Sequence, residues 1–81
     1  MPVTVRNHKE LGEAIRAERL KKDLRQVDLA RKASVRQALI SELENGATSA
    51  RVDTVLKVLA ALDLDLAIAT RRKAEFDPTE Y

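Results

Sequence analysis

Apolar side chains recur at helical spacing over most of this chain. In the first run, Leu11, Ala14 and Ile15 are spaced three and four residues apart, and Leu24 follows a charged stretch. Asn7 and Glu10 have the spacing of a capping box, in which the Glu10 carboxylate reaches back to the Asn7 amide. A first helix is therefore predicted to open at Asn7.

Three shorter helices are predicted downstream. The second begins near Gln26, and the third spans about 36–44 and stops before Gly46, because glycine adopts the left-handed conformation after a helix at least cost. The fourth runs from Val52 to about residue 63. The second helix is expected to present Leu29, Ala30 and Ala33 inward, and the third has Val35, Ile40 and Leu43 as its apolar anchors. The periodic apolar positions that mark the fourth are Val52, Val55, Leu56, Leu59, Ala60 and Leu62.

The apolar period changes at residues 64–70, where Leu64, Leu66 and Ile68 occupy alternate positions. Alternation is typical of a half-buried strand. A single strand leaves its backbone donors and acceptors unpaired, so the simplest partner is the same strand of a second copy, related by a two-fold axis. The alternative is that these residues extend the fourth helix or pack as coil.

Composition narrows the function classes. A chain of 81 residues without cysteine holds one small domain and excludes disulfide frameworks, cysteine-ligated zinc and thiol nucleophiles. His8 is the only histidine and is expected to be a solvated residue at a helix start. No catalytic residues, metal site or cofactor are predicted, and no apolar run is long enough to span a membrane. Gly12, inside the first helix, is expected to permit close helix packing.

Charge is unevenly distributed. The net charge is +2, but residues 1–73 carry +5 and residues 74–81 carry −3. A basic body with an acidic tail suggests a polyanionic partner and a second, different contact. The alternative is that these are solvated charges with no specific partner.

Two short helices at 26–33 and 36–44, joined by a tight turn, have the order of a helix-turn-helix. The residues from Leu24 to Gly46 resemble the phage-repressor (Cro/CI, XRE-type) family, and the resemblance extends from about Leu11 to Leu64. Within that family, the short length and the leucine-rich strand resemble HipB-like antitoxins, which pair with HipA-family kinase toxins. The expected fold is therefore an all-α helical bundle plus one C-terminal strand that pairs across a homodimer.

The resemblance implies roles for individual residues. Gln26 matches a position that bonds a DNA phosphate, Gln37 matches one that contacts base edges, and Asn45 matches a backbone-contacting site. Arg19 and Glu44 match a structural ion pair that ties the first helix to the third. The implied base-contacting set is Arg36, Gln37, Ala38 and Ser41.

The chain departs from the family pattern at the turn and at three helix starts. Ser34 stands where the family often has glycine, so a non-glycine residue must be accepted there. Arg25, Arg36 and Arg51 stand where serine or threonine caps are favoured, and a lost cap costs about 1 kcal/mol. Our hypothesis is that these arginines face phosphates, which adds Arg25 and Arg51 to the phosphate-contacting set. The alternative is capping by Asp23 or Ser49.

These features divide the chain into a DNA-binding domain (1–63), a dimerisation strand (64–70) built on Leu64, Leu66 and Ile68, and an acidic flexible tail (71–81). Phe76 and Tyr81 in the tail are candidate toxin contacts; alternatively they fold back onto the protein or stay exposed.

The predicted function is a dimeric repressor that binds an inverted-repeat operator in double-stranded DNA, in the bacterial cytoplasm at the nucleoid. It would also act as the antitoxin of a HipA-type kinase and autoregulate its operon. The alternatives are a stand-alone phage or mobile-element repressor, and a protein-interaction adaptor that does not bind DNA.

Overall fold

The computed structural model describes residues 3–47 and 50–71. Within these ranges the chain forms four helices, which are α1 (His8–Lys21), α2 (Gln26–Ala33), α3 (Gln37–Glu44) and α4 (Val52–Ala61). The predicted order of helices is confirmed. None of these helices is long and apolar enough to cross a membrane. The predictions for Ser49, Phe76, Tyr81 and all of the tail after residue 71 lie outside the described residues.

The start of α1 differs in one respect from the predicted capping box. The Asn7 side chain does accept a hydrogen bond from the Glu10 backbone N–H, at 2.8 Å. The Glu10 carboxylate, however, accepts from the backbone N–H of Arg6 at 2.7 Å, one residue before the predicted donor. The carboxylate still lies at the positive end of the helix, where a negative charge is stabilised.

All four described helices end in the same way. After each helix, one residue adopts the left-handed conformation, with φ between 56 and 66°. In chain order these residues are Asp23, Ser34, Gly46 and Asp63. The next residue then donates its N–H five positions back, as Val35 does to Ala30 at 2.9 Å and Leu64 does to Leu59 at 2.8 Å. Both Gly46 and the non-glycine turn at Ser34 were expected from the sequence. The shared ending sets the direction in which each connection leaves its helix.

The core is made from aliphatic side chains of all four helices. Its buried members are Ile15, Leu29, Ala30, Ala33, Ile40, Leu43, Val58, Leu59 and Leu62. Of the apolar positions that mark α4 in the sequence, Val52 and Leu56 are 69% and 42% exposed and Ala60 is also exposed, whereas Val58, which is not among them, is fully buried. Apolar residues surround most of α4, so spacing alone did not select the face that packs against α2.

Residues 64–71 form neither helix nor strand within the single chain. The left-handed Asp63 ends α4, so the alternative that this segment extends the helix is wrong. Leu64 packs against the core, whereas Leu66 and Ile68 are 59% and 96% exposed. A strand shared by two copies requires the second copy, so that prediction stays a prediction.

At Gly12 the backbone of α1 lies close to the backbone at the end of α3. A Cβ added there would overlap the carbonyl oxygen of Leu43 and would lie 2.9 Å from that of Glu44. These are backbone atoms at the end of α3, which cannot rotate away as a side chain could. Close packing of the two helices therefore requires glycine at this position, as the sequence suggested.

Replacing Gly12 with alanine should destabilise the protein by about 1–3 kcal/mol, because α1 and α3 must separate to admit the methyl group. Helix propensity alone predicts the opposite sign, a gain of about 1 kcal/mol. Denaturant unfolding measures the difference. The control is Ala17→Gly at an exposed position of α1, where the alanine form should be the more stable. A Gly12→Ala variant more stable than the parent would contradict the close contact.

Candidate DNA-binding surface

The α3 helix presents one polar face and one buried face. Ile40 and Leu43 pack in the core, while Gln37 and Ala38 in the first turn are exposed and Ser41 is half-buried. Ser41 lies four residues after Gln37 and three after Ala38, so it neighbours both of them on the helix surface. Arg36 occupies the N-cap position and is also exposed. The four residues expected to contact bases therefore lie together at the N-terminal end of α3.

A buried ion pair joins the end of α1 to the end of α3. Arg19 Nε donates to Glu44 Oε2 at 2.6 Å, and Arg19 Nη2 donates to Glu44 Oε1 at 3.0 Å. The two side chains are only 8% and 2% exposed. Hydrogen bonding to Glu44 raises the pKa of the Arg19 guanidinium above its ordinary value, although burial acts in the opposite direction. The pair implied by the family resemblance is present in the fold.

The same ion pair also reaches α2. Arg19 Nη1 donates to the carbonyl oxygen of Leu24, just before α2 begins, at 2.7 Å. Gln26 Nε2 donates to Glu44 Oε1 at 3.1 Å, so the first residue of α2 is tied to the last residue of α3. Sequence reasoning assigned Gln26 to phosphate and Glu44 to structure, and it missed their direct contact. The only available signal was that both residues were expected at helix ends.

Three arginines occupy N-cap positions, namely Arg25 of α2, Arg36 of α3 and Arg51 of α4. A guanidinium has no hydrogen-bond acceptor, so none of these side chains can cap its helix. All three are exposed at helix ends where backbone N–H groups also point outward. Asn45, at the opposite end of α3, is exposed as well.

Asp28 takes over part of the missing cap of α2. Its Oδ2 accepts from the Arg25 backbone N–H at 2.8 Å and from Arg25 Nε at 3.0 Å. These hydrogen bonds, first that of the side chain and then that of the backbone, lower the pKa of the Asp28 carboxyl from 3.8 to about 2. The predicted alternative, capping by Asp23, is not what the structure contains at α2. In α4, Arg51 pairs instead with Asp53 at 3.2 Å.

Comparison with known proteins agrees with this geometry. The family described as helix-turn-helix matches residues 15–68, which is more than half of the chain. The chain belongs to the helix-turn-helix family. Its α2 and α3 are the two helices that give the family its name, and Ser34 forms the turn between them.

Within this family, the chain is similar to one curated protein and to solved structures that contain the same protein. Antitoxin HipB of Escherichia coli (strain K12) is 30% identical over 71 residues, covering 88% of this chain and 81% of HipB. Two solved structures, a HipB–O4 20mer complex and a HipA–HipB–O2–O3 complex, each match with a TM-score of 0.80 and 25% identity. Each of these alignments covers 88% of this chain and 100% of the other. This helix-turn-helix chain is therefore similar to antitoxin HipB over most of its length.

Because the pKa of Asp28 is lower in the folded protein than in the unfolded chain, its ionised form stabilises the fold. Asp28→Asn should therefore lower Tm at neutral pH. The difference from the parent should shrink as pH falls below 3.8, should be small near pH 2 and should be lost only below it. Thermal unfolding between pH 2 and 7 measures it. When Arg25 is replaced by methionine in both proteins, the pH-dependent part of the Tm difference between them should be smaller. A Tm difference that is the same at pH 2 and pH 7 would exclude this role.

Proposed function

We propose that this chain is a dimeric, sequence-specific DNA-binding repressor that serves as the antitoxin of a HipA-type kinase and represses its own operon. The observation that carries the proposal is the exposed first turn of α3, where Gln37 lies one turn before Ser41. Major-groove binding by a helix-turn-helix uses the N-terminal residues of its second helix. The similarity to the HipB–O4 20mer complex supports DNA binding by this chain.

Base contacts are assigned to the exposed face of α3. The Gln37 amide can bond adenine bidentately at N6 and N7, and Arg36 can donate to guanine or to phosphate. Ala38 suits contact with a thymine methyl group, and the Ser41 hydroxyl can donate or accept. A face that combines a guanidinium, an amide, a hydroxyl and a methyl group can match the donors, acceptors and methyl groups at the base edges of the major groove.

Phosphate contacts are assigned to the residues around that face, namely Arg25, Gln26, Asn45 and Arg51. Arg25 and Arg51 lie at helix N-termini, where the helix dipole and backbone N–H groups already favour an anion. Arg51 pairs with Asp53 in an ion pair whose two side chains are both largely exposed, and such pairs are weak in water. A DNA phosphate can therefore replace or share the Asp53 carboxylate at little cost.

Dimerisation is assigned to residues 64–70, in which Leu66 and Ile68 are largely exposed in the single chain. Val52 and Leu56, one turn apart on α4, are further exposed apolar residues that a second copy could cover. Two copies related by a two-fold axis place two α3 helices about 34 Å apart, which matches one turn of DNA and an inverted-repeat operator.

The kinase partner is supported by the HipB similarity and by the HipA–HipB–O2–O3 complex. Phe76 and Tyr81 remain the proposed toxin contacts, outside the described residues. A kinase-like gene beside this one would support the antitoxin role, and its absence would favour a stand-alone phage or mobile-element repressor. A chain that binds a protein partner but selects no DNA sequence would instead be an adaptor.

Selection from a random DNA library should yield an inverted repeat, and Gln37→Ala should lose the preference at one base pair in each half-site. The expected loss of discrimination is about 1–3 kcal/mol per contact. Arg51→Ala is the matched comparison: it should weaken binding to all sequences alike and reduce the salt slope by about 0.9 for each lost phosphate contact. A Gln37→Ala protein with unchanged sequence preference would show that α3 does not contact bases as proposed.

Leu66→Asp and Ile68→Asp should each convert the dimer to a monomer, because a charge cannot be buried between paired strands without a partner. Light scattering measures the mass, and titration with one half-site and with the full repeat measures affinity. Only the full-repeat affinity should fall. Val3→Asp is the control, at a residue that is 73% exposed and distant in sequence. If both variants remain dimers, the interface lies elsewhere.

A further inference from the structure

The Gln26 side-chain amide is hydrogen-bonded to the buried carboxylate of Glu44. We propose that Glu44 is a positioning residue for DNA binding: held by Arg19, it orients the Gln26 amide so that the amide nitrogen faces the phosphate. This inference rests on the proposed DNA-binding function. It assigns Glu44 a role beyond the structural one implied by the family resemblance.

Hydrogen-bond chemistry determines which end of the amide faces Glu44. Glu44 Oε1 accepts from Gln26 Nε2 at 3.1 Å and from Arg19 Nη2 at 3.0 Å, while Oε2 accepts from Arg19 Nε. An ionised carboxylate only accepts, so the Gln26 carbonyl oxygen cannot take the place of Nε2. The amide nitrogen has two N–H groups, and one bond to Glu44 uses only one of them. The second N–H is a donor suited to a phosphate oxygen.

The carboxylate that orients Gln26 has little freedom to move. The Glu44 side chain is 2% exposed. The Arg19 guanidinium donates hydrogen bonds to both carboxylate oxygens and also to the carbonyl oxygen of Leu24. A glutamine side chain loses much rotamer freedom when it is fixed, and fixing it before DNA arrives removes that cost from binding. Gln26 also begins α2, where the helix dipole favours the incoming anion.

The same carboxylate sets the spacing between two kinds of DNA contact. Glu44 is the last residue of α3, which carries Gln37, and it bonds the first residue of α2. The proposed phosphate-contacting amide is therefore fixed relative to the proposed base-contacting helix. Such fixed spacing lets a phosphate contact set the depth of α3 in the groove.

A purely structural ion pair makes a different prediction from a positioning one. A buried pair can often be replaced by apolar residues of similar size without loss of stability. The decisive variant is therefore Arg19→Met combined with Glu44→Met, which removes the anchor and leaves Gln26 in place. The matched control is Glu18→Met with Lys21→Met, which removes an exposed ion pair of α1 and likewise leaves the net charge unchanged.

Affinity is measured with a duplex selected from a random library, after thermal unfolding has shown that each variant is folded. We expect Arg19→Met/Glu44→Met to bind each half-site about tenfold more weakly than the parent, the same loss that we expect for Gln26→Ala. Adding Gln26→Ala to the double variant should then change its affinity less than twofold. The control should bind as the parent does. Parent-like binding by the double variant, with weak binding by Gln26→Ala, would overturn positioning but leave DNA binding intact. A parent that selects no duplex would instead overturn the proposed function, and positioning with it.

A second measurement needs no variant and no DNA. In the unbound parent protein, ¹⁵N relaxation of the Gln26 side-chain NH₂ should show order close to that of the helix backbone. A side-chain amide as mobile as that of the exposed Gln37 would overturn the proposal even if the double variant failed to fold.

Discussion

The arrangement of the helices depends on the seam between α1 and the end of α3. Gly12 lets the two backbones touch at Leu43 and Glu44, and Arg19 closes the same seam with two hydrogen bonds to the Glu44 carboxylate. Burying two charges is costly, and their attraction offsets this only with good geometry. Loss of one partner alone would leave an unpaired buried charge, at a cost of about 3–5 kcal/mol. The seam therefore determines where α3 stands relative to the rest of the protein.

Several helix ends in the domain carry residues that are not the most favourable for their local conformation. Three of the four left-handed helix ends are not glycine, and each such residue carries a conformational cost of about 1–2 kcal/mol. Arginines occupy three N-cap positions where a serine or aspartate would stabilise the helix. The same arginines are exposed, and in the proposed function Arg25 and Arg51 contact DNA phosphates. Local stability and the proposed binding surface thus make opposing demands on the same positions.

Much of the fold followed from the sequence because its signals are local. The bounds of α2, the Asn7 cap and the left-handed Gly46 each depend on a few neighbouring residues. The buried face of α4 could not be chosen, since apolar residues surround that helix and only packing against α2 selects Val58 over Val52. The Gln26–Glu44 contact was missed for the same reason: it joins residues 18 apart whose meeting depends on the tertiary fold. Strand pairing by residues 64–70 depends on a second chain, which no pattern within one chain can supply.

The most direct test of the account is to map the protein's contact with its selected DNA by backbone amide NMR. We predict that the largest shift changes on titration with the duplex fall at the start of α2 and the first turn of α3, at Gln26, Gln37 and Ala38. Amides on the outer face of α1, such as Ala17, should move little. Changes concentrated on α1, with α3 unaffected, would contradict the claim that α3 is the DNA-contacting helix.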